Sequence, residues 1–102
     1  MVERRVERLV SLGRAFGHPA RARILIACAE AGDVRRPVTL ARELELPLGV
    51  VSYHVRTLAR LGLLILRSTA QVRGAVAHDY VVADEVAPAL RALTATVAAG
   101  GS

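Results

Sequence analysis

The 102-residue chain has one cysteine, two tyrosines, one phenylalanine and no tryptophan, and none of its basic residues is lysine. Each shortage removes a class of protein. A lone Cys28 excludes an internal disulfide framework and fits a reducing cytoplasm. Three aromatic side chains are too few for the stacking platform that holds single-stranded nucleic acids. No apolar run approaches the length needed to cross a bilayer, and no secretory signal opens the chain, so a cytoplasmic location is expected. The length suits one domain, placed over residues 1–99, with Gly100, Gly101 and Ser102 as a frayed tail. A core of that size is modest, and help from a partner subunit is expected.

The most telling shortage is of acid. Between Leu46 and His78 there is no Asp or Glu, yet Arg56, Arg60, Arg67 and Arg73 fall there. The rest of the chain holds ten arginines against nine acids, so four of the five net positive charges lie in this one segment. A solvated surface ordinarily mixes signs, and a single-sign field steers a charged partner, here a polyanion. Codon usage in a GC-rich genome accounts for arginine in place of lysine. Arginine is also the better residue for planar contacts to phosphates and guanine edges.

What is present follows a helical period, then a period of two. Val2, Val6, Leu9, Gly13 and Phe16 recur at four-three-four-three spacing and predict a helix over 3–17. "GHP" at 17–19 breaks it, and a second helix is expected over 20–31 with Ile24, Leu25 and Cys28 inward and Gly32 as its stop. Thr39 is the expected cap of a short third helix, "LAREL". In "GVVSYHVRTLARLGLL", residues 49–64, Val51, Val55, Leu58 and Leu61 share one face, and Gly62 supplies the left-handed stop. The opposite face shows Ser52, Tyr53, Arg56 and Arg60. "LLILRSTA" and "AVAHDYVVA" then predict a hairpin about "QVRG", with Val76, His78, Tyr80 and Val82 on one face of the second strand. Asp84 is the expected cap of a last helix carrying Val86, Leu90, Leu93 and Val97.

Two helices joined by a short turn and followed by a hairpin with arginine near its tip make a winged helix-turn-helix: mainly α with a small β-hairpin, in the order α-α-α-α-β-β-α. In that architecture the second helix of the pair enters the major groove of double-stranded DNA, which is wide enough for one helix. The apolar face of 51–61 holds that helix on the domain and leaves the cationic face for DNA.

The stretches "LGRAFGHPARARILIACAEAG", "VTLARELELPLGVVSYHVRTLARLGLL" and "RGAVAHDYVV" resemble ArsR-type winged-helix transcriptional regulators, from about Leu12 to Val82. The most specific part is "SYHVRTLARLGLL", and "HPARARIL" matches the family's second-helix opening. The resemblance implies a dimeric, sequence-specific repressor on a pseudo-palindromic operator. Carried over by position, Ser52 and Tyr53 face bases, His54 and Arg56 lie near the DNA backbone, and Arg73 sits in the wing; Arg60, one turn beyond Arg56, lies where the helix leaves the groove and meets phosphates. The first and last helices then form the dimer interface, through Val6, Leu9, Phe16, Leu90, Leu93 and Val97.

Three departures qualify that expectation. Where metal-sensing members carry paired cysteines, this chain has Leu40, Ala41, Arg42, Glu43 and Leu44, which offer no soft ligand. Asp84 stands without a histidine beyond it, and His18, His54 and His78 are scattered, so neither a metal nor a cofactor is expected. At the start of the recognition helix Pro47, Leu48, Gly49 and Val50 replace polar residues. Val50 suits a thymine methyl, Gly49 suits close approach to the backbone, and shape readout by Arg73 carries more of the specificity. No Ser-His-acid arrangement, phosphate-binding glycine loop or carboxylate cluster points to an enzyme. The competing reading is a winged-helix module that binds another protein and reads no DNA.

Overall fold

The computed structural model describes the backbone of residues 2–92 and the side chains of Glu7 and residues 10–92. Four helices, α1 (Val2–Phe16), α2 (Pro19–Ala31), α3 (Pro37–Leu44) and α4 (Leu48–Arg60), precede an antiparallel hairpin of β1 (Leu64–Val72) and β2 (Ala75–Val82). A last helical segment is described over 87–92. This is the expected winged helix-turn-helix order.

Local chemistry sets most boundaries. Pro19 opens α2 at its first turn, where a missing N–H costs nothing, and Gly32 ends it at φ 66°. Pro37 does the same for α3, with Arg36 as the extended residue before it. Thr39 therefore lies inside the first turn and is not the cap; the proline claims the helix start two residues earlier. Glu45 ends α3 in the left-handed region at φ 55°, and Leu46 N–H reaches back to the Ala41 carbonyl at 3.0 Å. Gly62 ends α4 in the same way at φ 76°, with Leu63 N–H on the Leu58 carbonyl at 3.0 Å. The helical hydrogen bonds of the last segment start from the Ala83 carbonyl, which accepts from Val86 and Ala87. Asp84 thus sits one residue inside that turn instead of capping it.

The hairpin pairs Leu64 with Val82 at its base and Val72 with Ala75 at its tip, with a bulge between Leu66 and Ser68. It closes through Arg73 and Gly74, at φ 51° and 81°; two consecutive positive values give the turn whose twist matches a two-stranded ribbon. Before α3, Arg35 adds one further backbone rung: its N–H donates to the Tyr80 carbonyl at 2.7 Å and its carbonyl accepts from Tyr80 at 2.9 Å.

The core lies where α2, α3, α4 and the hairpin base meet, and Ile24, Leu25, Leu40, Val51 and Leu58 are wholly buried there. Truncating one of these leucines to alanine is expected to cost roughly 2–5 kcal/mol. From α1 it is Ala15 and Leu12 that turn toward this core, while Val10, Gly13 and Phe16 face outward. Leu90, expected to face a partner subunit, is instead completely buried in its own chain, because the turn after Ala83 folds the last segment back onto the core. The interface expected of Leu93 and Val97 lies outside the described residues, as do the side chains of Val6 and Leu9.

Candidate nucleic-acid interface

Helix α4 has two faces of opposite chemistry. Val51, Val55 and Leu58 are buried against the core. Gly49, Tyr53, Arg56 and Arg60 recur at four-three-four spacing on the outside and are all exposed. The Thr57 hydroxyl donates to the Tyr53 carbonyl at 3.1 Å and accepts from Arg60 Nη2 at 3.2 Å, which lays the Arg60 guanidinium along its own helix. The ion pairs Arg35–Glu43 and Arg36–Asp79 both lie off this stripe, which carries its arginines in a segment without acids.

His54 corrects the sequence expectation. It lies on the inner face at 4% exposure, not beside a DNA backbone. Positions 51, 54, 55 and 58 form one buried strip, so His54 is carried under the helix with the valines. Arg21 Nε donates to its Nδ1 at 3.3 Å, which places the imidazole proton on Nε2. Its ring lies 4.4 Å from that of His18 and meets the Tyr53 ring edge-on at 5.2 Å. Burial first, then the positive charges of His18 and Arg21, holds its pKa below the ordinary 6.5. The neutral ring supports α4 from beneath and adds no charge to its surface.

The leading end of α4 differs from its trailing end. Leu48 and Val50 are exposed there, and Val38 at the start of α3 joins them. Ser52 is half-buried beside them, one step round from Tyr53. A groove of about 420 Å³ runs from Arg36 and Val38, past Leu48 and Ser52, to Val76 and His78 of β2. Gly49 has a negative φ, and a methyl group placed on it would meet nothing within 4 Å. Neither backbone geometry nor internal packing therefore requires glycine at that position.

The wing is anchored by a residue the sequence reading passed over. Asp79 is buried in β2, accepts from Arg36 Nε at 2.6 Å and from the Ser68 hydroxyl of β1 at 3.1 Å. The hydrogen bond from Arg36 holds its carboxyl below the usual carboxylate range against the opposing effect of burial, and Ser68 adds to it. One carboxylate thus ties the start of α3 to both strands, next to the Arg35–Tyr80 rung. No local signal marks it, since its partner is 43 residues away in the chain. At the far end of the hairpin Arg73 occupies a left-handed position usually given to Asn, Asp or Gly. A bulky residue held there costs of order 1 kcal/mol.

Among the described residues no group of three or more His, Cys, Asp or Glu side chains is placed to hold a metal ion. Glu43, whose carboxylate is the metal-binding group of the α3 stretch, is paired with Arg35. Cys28 is buried, and burial pushes its thiol up to about 11 with a smaller opposing effect from Arg35. Among the described residues no helix is long and apolar enough to cross a membrane.

Comparison with known proteins gives a family-model match described as a helix-turn-helix domain over residues 16–67, from the end of α1 to the first residues of β1. Among solved structures, reduced HlyU from Vibrio cholerae is 26% identical, with 90% of each chain covered and a TM-score of 0.70. The homodimeric winged helix-turn-helix DNA-binding domain of Mb0332 from Mycobacterium bovis, a possible ArsR-family regulator, is 24% identical, covering 91% of this chain and 80% of that one at TM-score 0.69. The antimony-specific transcriptional repressor AntR is 20% identical, covering 92% of this chain and 79% of that one at TM-score 0.70. No match is found among the curated proteins.

Proposed function

This chain belongs to the helix-turn-helix domain family, and from that premise we propose that it is an ArsR-type winged-helix transcriptional regulator that binds double-stranded DNA as a homodimer. The observation that carries this reading is the outward stripe of α4: Tyr53, Arg56 and Arg60 at helical spacing, no acid among them, on a helix whose other side is locked into the core. The fold presents such a helix to the major groove and the hairpin beside it to the adjoining minor groove. Tyr53 and Ser52 take the base-facing role, Arg56 and Arg60 the phosphates, and Arg73 the narrow groove under the wing.

Dimerisation rests on α1. Val10 and Phe16 are exposed apolar side chains on the stripe's side of the helix, and Gly13 between them is open to close approach. Two copies related by a two-fold axis then present two recognition helices, and the operator is a pseudo-palindrome. Repression follows from occupancy of such a site. The regulator works without metal sensing, since Leu40 to Leu44 supply no soft ligand and Cys28 is enclosed.

Selection of bound duplexes from a random pool by the purified protein tests the reading. Recovery of a pseudo-palindrome is the expected result. Recovery of nothing above background leaves the protein-interaction module as the better description of the fold.

A further inference from the structure

The leading turn of α4 is built for a different contact from the rest of the helix. A helix that enters a major groove brings its first residues nearest the bases. Here those residues offer no side-chain donor or acceptor before Ser52. Leu48 is 49% exposed and Val50 is 38% exposed, and Leu48 shares the groove above α4 with Val38 of the preceding helix, itself 48% exposed. Exposed valines and leucines occur singly on any surface, but two in the first turn of the one helix proposed to face a polyanion call for an apolar partner within that polyanion. In the major groove of DNA the apolar feature of a base edge is the 5-methyl group of thymine. Gly49 lies between Leu48 and Val50 and serves no packing or backbone need in the chain itself, which leaves room for the DNA to come close.

We propose that Leu48 and Val50, with Gly49 between them, read the 5-methyl groups of pyrimidines in the major groove, so that this protein selects thymine-bearing half-sites by apolar contact. The proposal rests on the DNA-binding reading above and specifies what that face recognises. Cytosine methylated at the same carbon presents the same group at the same place, so a 5-methylcytosine replacing a contacted thymine's pyrimidine ring keeps the apolar contact while an unmodified cytosine loses it. Tyr53, Arg56 and Arg60 lie farther along α4 and take no part in this discrimination.

The test uses the full-length protein and a duplex that it enriches from a random pool. That duplex is resynthesised with deoxyuridine at every thymine, which removes the methyl groups and keeps every hydrogen-bonding atom. Affinity is expected to fall about fourfold for each methyl contacted, the scale of burying one such group. Val50→Ala is exposed and leaves the core untouched; it is expected to bind the thymine duplex more weakly and to lose most of its sensitivity to the uracil exchange. Because the exchange also alters duplex shape, that loss of sensitivity in the variant is the specific signature. Gly49→Ala is expected to raise the melting temperature by a few degrees, since alanine is the better helix former, while weakening the selected duplex severalfold. If the wild-type protein binds the uracil and thymine duplexes alike, or if Val50→Ala is as sensitive to the exchange as wild type, the proposal is overturned and the DNA-binding reading stands. If no duplex is enriched at all, both fall together.

Discussion

Helices α1 and α4 are similar in length, 15 and 13 residues, and each turns one side to the core and leaves the other uncovered. The uncovered sides are opposites. That of α4 carries Tyr53, Arg56 and Arg60; that of α1, over its described part, carries Val10, Gly13 and Phe16 with Glu7 and Arg14 beside them, so its apolar strip is flanked by charges of both signs. An apolar side is stable in water only when something apolar covers it, whereas an acid-free cationic side repels a second copy of itself and attracts polyanions. Under the proposed function the pair of helices divides the work: α1 joins two copies and α4 meets DNA. Helix α2 packs against both, so the two surfaces are held in fixed relation by a common interior.

Breaking the α1 side has the largest expected effect. Phe16→Glu places a charge on an exposed position, so the monomer is expected to fold, while burial of that unpaired charge in an interface is prohibitive. Sedimentation should shift from dimer to monomer. Affinity for a two-half-site operator should drop by about two orders of magnitude, because the second half-site no longer binds at high effective concentration. A wild-type protein that sediments as a monomer at micromolar concentration would remove the basis for this division.

On the α4 side the expected losses are smaller and of two kinds. Tyr53→Ala removes a base contact and should cost roughly 1–3 kcal/mol on the selected operator with little change on random DNA. Arg56→Ala removes a phosphate contact, so both DNAs should weaken together and the salt slope should fall by about one ion. Titrating both variants on both DNAs at two salt concentrations separates the contacts. Equal weakening of operator and random DNA by Tyr53→Ala would place base readout elsewhere on the helix.

How much of this was visible in the sequence depends on the range of the physics involved. The stop of α4 at Gly62, the turn at Gly74 and the buried valines of α4 are set by residues within a turn of one another, and spacing alone shows them. The uncompensated charge of residues 46–78 was equally plain, since it is a matter of counting. Thr39 failed as a cap because the neighbouring Pro37 had the stronger claim on the first turn. Family position puts His54 outside, although its offset of three from Val51 and four from Leu58 marks the inner strip. Leu90 looked like part of an interface because a monomer core and a dimer seam ask for the same apolar period. The Asp79 anchor joins segments far apart in the chain, and no window of sequence contains it.

The comparison also has a pH dependence, because α4 rests on a buried neutral histidine. His54 has a folded pKa below its ordinary 6.5, so the unfolded chain takes up a proton that the native one refuses. Stability is therefore fully present above about pH 6.5, declines as the pH falls through that value, and levels once the folded pKa is passed. Asp79 adds a second decline at lower pH, below its ordinary 3.8, because its lowered carboxyl must be protonated. Melting temperature measured from pH 8 to pH 4 should show the first decline in wild type and lose it in His54→Gln. A profile unchanged by that substitution would show that the ring is not held neutral beneath α4.

The smallest expected effect belongs to the interior that α1 and α4 share. Cys28 lies on α2, at 1% exposure, with its thiol pushed up to about 11. Roughly one molecule in ten thousand then carries the thiolate at pH 7, and the thiolate is the form that alkylating agents, peroxide and soft metals attack. Native protein should resist iodoacetamide, and its labelling rate should rise only as denaturant unfolds the core. Peroxide, zinc, cadmium and arsenite should each leave operator affinity unchanged within about threefold. Rapid stoichiometric labelling of the native protein, or metal that releases DNA at micromolar concentration, would mean that the interior opens far more readily than this packing allows. In that case the two outer faces would not be independent, since a change at Cys28 would reach both through α2.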